Sequence, residues 1–217
     1  MYRLFFKRFF DILFSTSIFI LISPLFLFTG IILSVYYRGN PFFTQKRPGR
    51  GGKIFRLIKF RSMVDRYDPQ GKLLPDADRI TSFGKFIRKT SIDELPQLLI
   101  VIIGDMSFIG PRPLLTSYLP FYTDREHIRH TVRPGISGLA QVSGRNNLGW
   151  NERLELDVQY VEDLSFTNDC KIAIKTIQNV IMAKDIAVVT SEKTLLDYRT
   201  QNPNWKEFGD YTNSTQS

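Results

Sequence analysis

The sequence predicts an α+β domain, mostly helical, carried on a long apolar N-terminal segment that enters a membrane. Three observations carry that expectation. A long uncharged apolar run opens the chain, a short stretch then alternates apolar with polar residues, and the remainder repeats apolar residues at helical spacing. The chain has 217 residues, enough for one domain with its own core. We expect that domain to span residues 1–190, with 1–38 as the membrane hairpin and 191–217 as a polar, flexible tail.

From Ile12 to Tyr37 no residue is charged. One straight helix of roughly 20 residues crosses a bilayer, so the default reading is a single span. Two features oppose it. Ser23-Pro24 falls mid-run, and proline removes a backbone donor and clashes with the preceding turn. Each orphaned carbonyl in hydrocarbon costs several kcal/mol unless something bonds it, and the Ser23 hydroxyl can reach a carbonyl one turn back. Two arms broken there reach roughly 16 to 20 Å each, short of a core about 30 Å thick. Basic residues also flank both ends: Arg3, Lys7 and Arg8 before the run, Arg38, Lys46, Arg47 and Arg50 after it. The positive-inside rule then wants both ends in the cytoplasm, which a hairpin satisfies and a straight span does not. On these grounds a re-entrant hairpin and a kinked span both stand.

FFTQ and KIFRLIKF alternate around Arg47-Pro48-Gly49-Arg50-Gly51-Gly52, a β-hairpin signal. Residues 65–79 read as a surface loop. A helix covers part of Ile80 to Lys89, and another runs from near Ser91 to Ile103 and stops at Gly104. GDMSFIGPRPLL and RPGISGLAQVSGRN are rigid Pro/Gly loops, and residues 151–164 are helical. Residues 171–184 form an amphipathic helix with Ile174, Ile177 and Ile181 on one side. Core packing is its commoner fate, a membrane surface the other.

The net charge of +8, from 29 Lys+Arg against 21 Asp+Glu, suits polyanions: nucleic acid, anionic lipid or phosphorylated substrates. No nucleic-acid-binding motif appears, so nucleic acid is not expected as a partner. The single cysteine, Cys170, excludes an internal disulfide and fits a reducing compartment. His127 and His130 in HIRH read as a solvated helix face, and no Cys/His cluster has zinc spacing.

Asp93-Glu94 head the apolar helix SIDELPQLLIVII. Read locally, Ser91-x-x-Glu94 is a capping box. Read chemically, Arg88 and Lys89 precede the pair, and a helix N-terminus beside cations is a phosphate site. A carboxylate there can attack phosphorus once cations neutralise the repulsion. Further basic groups lie at Lys59 and Arg61 in KFRSM, Arg112 in GPRP, Arg133 in RPG and Arg145 in SGRN. Each alone is more often a surface charge, but three sit in stiff loops that hold a side chain at little entropic cost.

Taken together, KRFFDI with the Ser23-Pro24 break, FTQKRPG, KFRSM, SIDELPQL, GDMSFIGPRPLL and RPGISGLAQVSGRN resemble the bacterial sugar transferase family, in its small monotopic form made of the catalytic domain alone. The resemblance runs from about Arg3 to about residue 184. It implies that Asp93 attacks the β-phosphorus of a UDP-sugar, releasing UMP, and that polyprenol phosphate takes the phosphosugar from Asp93. Glu94, the second acid of the catalytic dyad, is implied as a base for the acceptor phosphate or as a metal helper. Lys59, Arg88, Arg112, Arg145 and Asp157 match phosphate- and nucleotide-binding or site-supporting positions. Magnesium is the implied cofactor, held by Asp93. The N-terminal segment is implied to be re-entrant, placing the enzyme on the cytoplasmic face of the bacterial inner membrane, with membrane lipid as a partner and a homo-oligomer allowed. The alternative is a membrane-anchored anion-binding scaffold without catalysis.

Overall fold

The computed structural model describes residues 1–144, 148–182 and 194–209. The long apolar run folds as helix α1, Lys7–Tyr36. It is long and apolar enough to cross a membrane by length and composition, and its most apolar stretch is only 11% buried. The break expected at Ser23-Pro24 does not occur: the backbone stays helical through Pro24. The reason is local. Pro24 has no N–H for the Ile20 carbonyl, and the Ser23 hydroxyl donates to that same carbonyl at 2.8 Å. The orphan left by proline is therefore satisfied without interrupting the helix.

Helix α1 lays one stripe on the rest of the protein. Lys7, Asp11, Ser15, Thr29 and Leu33 are buried, while Ile20, Leu21, Leu27, Phe28 and Ile31 on other faces are exposed. The N-terminal half is fixed by polar contacts. Lys7 donates to Asp169 at 2.8 Å, Asp11 accepts from the Ser107 hydroxyl and the Phe108 N–H, and Arg8 donates to the carbonyls of Val101 and Ile102. The C-terminal half is fixed by apolar contacts, with Phe26 and Leu33 against Phe42, Phe60 and Ile87.

Strands β1 (Phe42–Pro48) and β2 (Ile54–Phe60) form the expected antiparallel hairpin, with Phe42 opposite Phe60 and Pro48 opposite Ile54. After a loop, the short α2 (Asp76–Arg79) leads to α3 (Ser82–Lys89), capped by the Thr81 side chain. Gly84 lets α3 approach the strand end: a Cβ there would lie 1.8 Å from the Ser62 carbonyl oxygen. Helix α4 (Gln97–Ile103) ends at Gly104 in the left-handed region, φ 118°, as its glycine predicts.

The two Pro/Gly loops are not independent. Ser107–Ile109 (β3) pairs in parallel with Gly135–Ser137 (β4), one within each loop. Between them run a 3-10 turn (Thr116–Phe121) and the short α5 (Asp124–His127). Next come α6 (Leu139–Ser143), α7 (Trp150–Glu162) and α8 (Phe166–Ile181). Ile109, Val132, Tyr160, Val161 and Ile172 make the core between β3, α7 and α8. The outer side of α8 is not core: Ile174, Ile177 and Ile181 are exposed. Its apolar stripe is thus left exposed, against the commoner fate expected for it.

The expected flexible tail is corrected over residues 194–209. Thr194 caps helix α9 (Leu195–Gln201), Leu195 packs with Leu114, Tyr118 and Leu154, and the buried Arg199 pairs with Glu126. The domain therefore extends past residue 190.

Candidate active site

The acid pair sits in a 3-10 turn, Ile92–Glu94, between α3 and α4. The capping-box reading fails. Ser91 is left-handed, φ 57°, and its side chain caps nothing, while Pro96 occupies the N-cap of α4. Glu94 turns instead to two cations, accepting from Lys59 at 2.6 Å and from Arg112 at 3.2 Å. Burial alone would raise the Glu94 pKa, but these two cations outweigh it and pull the group down to about 2.

Asp93 is buried, and its carboxylate accepts no hydrogen bond among the described residues. Desolvation first, then the neighbouring charge of Glu94, lift its pKa to about 6, against the pull of Lys59, Arg88 and Arg112. One acid is therefore locked as a structural anion, while the other keeps an uncommitted carboxylate. A buried carboxylate without hydrogen-bond donors is poorly solvated, which suits a nucleophile.

Each cation has its own support. Lys59 comes from the last turn of strand β2, next to Phe60, which stacks on Phe42 at 5.3 Å between ring centres. Arg88 comes from the last turn of α3 and donates through Nε to the buried Ser62 hydroxyl at 2.9 Å. Arg112 stands half-exposed just after β3, in Gly-Pro-Arg-Pro. The structure brings together Lys59, Arg88, Asp93, Glu94 and Arg112. Two other basic residues of the same motifs are used elsewhere: Arg61 pairs with Asp65, and Arg133 donates to the Gly104 carbonyl. Arg145 lies outside the described residues.

Asp157 stands behind the site rather than in it. It is fully buried on α7 and ion-paired to Arg129 at 2.7 Å. Arg129, missed in the sequence, also donates to the Tyr122 hydroxyl and, at 2.6 Å, to the Arg112 carbonyl. The chain Asp157–Arg129–Arg112 thus fixes the backbone that presents the Arg112 guanidinium. The signal was available: Asp157 lies on the apolar face of α7 with Leu154, Val158 and Val161, and a buried acid there requires a cation.

His130 is buried too, not a solvated face. Neither ring nitrogen has a partner among the described residues, and burial first, then Arg129 and His127, push its pKa down to about 3. Among those residues no group of three or more His, Cys, Asp or Glu could hold a metal ion by itself. Magnesium needs fewer protein ligands, taking one or two carboxylates plus phosphate oxygens. The uncommitted Asp93 carboxylate meets that requirement once a phosphate is beside it.

Fold and site together define a class: a mostly helical domain with a long exposed apolar helix beside a carboxylate pair faced by three cations. Comparison with known proteins gives it a family. The model of the bacterial sugar transferase family matches residues 2–183, and the chain belongs to that family. It is 49% identical over 182 residues to the uncharacterized sugar transferase EpsL of Bacillus subtilis, covering 83% of this chain and 89% of that protein. It is 40% identical to the undecaprenyl-phosphate galactose phosphotransferase of Salmonella typhimurium, over 83% of this chain and 41% of that one. It is also 40% identical to the UDP-N-acetylgalactosamine-undecaprenyl-phosphate N-acetylgalactosaminephosphotransferase of Aeromonas hydrophila, over 82% of this chain and 44% of that one. The chain therefore spans most of the first relative and under half of the other two.

Proposed function

We propose that this enzyme moves a phosphosugar from a UDP-sugar to polyprenol phosphate in two displacements on Asp93. The observation that carries the reading is the division of labour in the acid pair: Glu94 is bonded to Lys59 and Arg112, while Asp93 is buried, uncommitted and faced by three cations. The names of the Salmonella and Aeromonas relatives support undecaprenyl phosphate as acceptor.

In the first displacement an Asp93 carboxylate oxygen attacks the β-phosphorus. The bond from that phosphorus to the bridging oxygen breaks, and UMP departs with the electron pair. In the second, an oxygen of polyprenol phosphate attacks the same phosphorus, the bond to Asp93 breaks, and the carboxylate is restored. No proton need move in either. Lys59, Arg88 and Arg112 offset charge on the donor phosphates, and Glu94 holds Lys59 and Arg112 in register. Magnesium, held by Asp93 and donor phosphate oxygens, would add charge neutralisation there. Arg145 is proposed as a further nucleotide-binding residue.

The exposed apolar faces of α1 and α8 support a position of the domain against lipid. We read α1 as lying against the membrane without crossing it, both ends on the cytoplasmic face of the inner membrane, because both halves pack on the same domain and both flanks are basic.

The test is an intact mass after incubation with a UDP-sugar and magnesium but no acceptor. The protein should gain one phosphosugar and release UMP, and Asp93→Asn should do neither. An Asp93→Asn protein that turns over normally would refute the mechanism.

A further inference from the structure

Helix α9 lies beyond residue 183, where the family match ends, yet its two buried residues reach the framework of the active site. Leu195 and Arg199 are four residues apart, so they share one face of α9. Leu195 is fully buried against Leu114, which follows Arg112 by two residues. Arg199 is 1% exposed and donates from one terminal nitrogen to Glu126 and from the other, at 2.9 Å, to Asn151. Glu126 lies in α5, three residues before Arg129, and Asn151 stands in the first turn of α7, the helix that carries Asp157.

These three attachments match the three members of the Asp157–Arg129–Arg112 chain. One face of α9 touches the loop after Arg112, the helix before Arg129 and the helix of Asp157. Glu126 ties the arrangement further, since its second carboxylate oxygen accepts the Thr123 N–H at 2.8 Å and caps α5.

An arginine at residue 199 points to alignment rather than to attachment. A buried guanidinium attaches a helix at high cost, because desolvation offsets much of what its ion pair contributes, and an apolar residue of similar volume attaches it as firmly. What arginine adds is direction: its planar fork fixes where two acceptors lie relative to each other. Trp205 packs over the fork, its ring centre 4.9 Å from the guanidinium carbon. Arg112, by contrast, is half exposed and meets Glu94 only at 3.2 Å, so the frame behind it decides where its guanidinium points.

We propose that α9 is a clamp on Arg112, with Leu195 and Arg199 as positioning residues that hold its guanidinium beside Glu94 and toward the donor phosphates. This rests on the reading of Arg112 as a donor-binding residue given above.

The experiment uses the full chain. Arg199→Met alone leaves Glu126 buried and unpaired, so the variant of choice is Arg199→Met/Glu126→Gln, which removes both charges and keeps a glutamine able to cap α5. The donor KM and amide hydrogen exchange are measured for this paired change with and without Arg112→Gln. Alone, it should raise the donor KM roughly fivefold, an effect typical of residues that act on a site without touching it. It should also speed exchange across residues 112–131 and leave α4 unchanged. In the Arg112→Gln background it should raise the donor KM no further, because the group it acts through is gone. A purely structural role would give the same rise in both backgrounds, and that result overturns the proposal. A folded paired variant with the wild-type donor KM overturns it too. If the paired variant fails to fold, the milder Leu195→Val is read by the same two outcomes. A wild-type protein that releases no UMP from any UDP-sugar refutes the donor reading instead. Exchange then decides the clamp alone: faster exchange across 112–131 in the paired variant supports it, and unchanged exchange overturns it.

Discussion

The pair Asp157–Arg129 offers the sharpest test of how the site is held. Both side chains are almost fully buried, at 3% and 2% exposure, and Arg129 spends its remaining donors on the Tyr122 hydroxyl and the Arg112 carbonyl. Removing one member leaves an uncompensated buried charge, at a cost of about 3–5 kcal/mol. For a chain of this size each kcal/mol moves the melting temperature by roughly 2–4 °C, so a single change should lower it by roughly 6–20 °C. The two single changes are not equivalent. In Arg129→Met, Asp157 can take a proton, and burial already pushes its pKa upward. In Asp157→Leu, the guanidinium cannot discharge, so the loss should be larger and persist at low pH. The double variant Asp157→Leu/Arg129→Met removes both charges and should be more stable than either single. It should nevertheless keep a raised donor KM, since the Arg112 carbonyl has lost its donor. Urea unfolding followed by circular dichroism, with donor KM on the folded proteins, reads all three. Single changes costing under about 1 kcal/mol, or a double change equal to their sum, would refute the argument.

Three further outcomes follow from the packing. His130 is neutral when folded and has a pKa near 3, below its unfolded value of about 6.5, so the unfolded chain binds the extra proton between those values; its contribution is full above about pH 6.5 and lost as pH falls, by about 1.4 kcal/mol at pH 5.5, and His130→Phe should flatten that part of the stability profile. Leu195→Ala should cost about 2–5 kcal/mol in denaturant unfolding, because the side chain is fully buried against Leu114 and Leu154, whereas a flexible tail would lose almost nothing. Gly84→Ala should cost at least about 1–3 kcal/mol and raise the donor KM, since a methyl 1.8 Å from the Ser62 carbonyl must displace the residue that anchors Arg88; unchanged kinetics would show that this approach is dispensable.

Much of this was legible in the chain because the pattern and the physics agree locally. The hairpin declared itself by period-two alternation around a Pro/Gly turn, and α3, α7 and α8 by apolar spacing. The errors fell where tertiary contacts overrule local preference. Ser91 looked like a cap but is left-handed, and Pro96 marked the true start of α4. Proline suits a helix's first positions, so its place inside SIDELPQL already argued for a later start. The Ser107–Ile109 and Gly135–Ser137 pairing was invisible because three-residue strands carry no periodicity. The cost of proline at residue 24 points to an interruption, but the Ser23 hydroxyl bonds the very carbonyl that proline orphans, and the helix continues. The site itself is legible as five residues, the adjacent Asp93 and Glu94 with Lys59, Arg88 and Arg112; of their supporting layer, the buried Asp157 calls for a cation without saying which one, and Ser62 is one polar residue in a polar stretch.

The bond between Lys7 and Asp169 joins residues 162 apart in the chain. A ribosome adding 5–20 residues per second needs roughly 8–30 s to make that stretch. For all that time the first-made helix exists with Lys7 and Asp11 lacking the partners they will have, Asp169 and Ser107. It must wait where charge can still be hydrated, at the membrane surface. Synthesis order alone thus discourages α1 from committing its N-terminal end to the bilayer interior before the domain that holds it is complete.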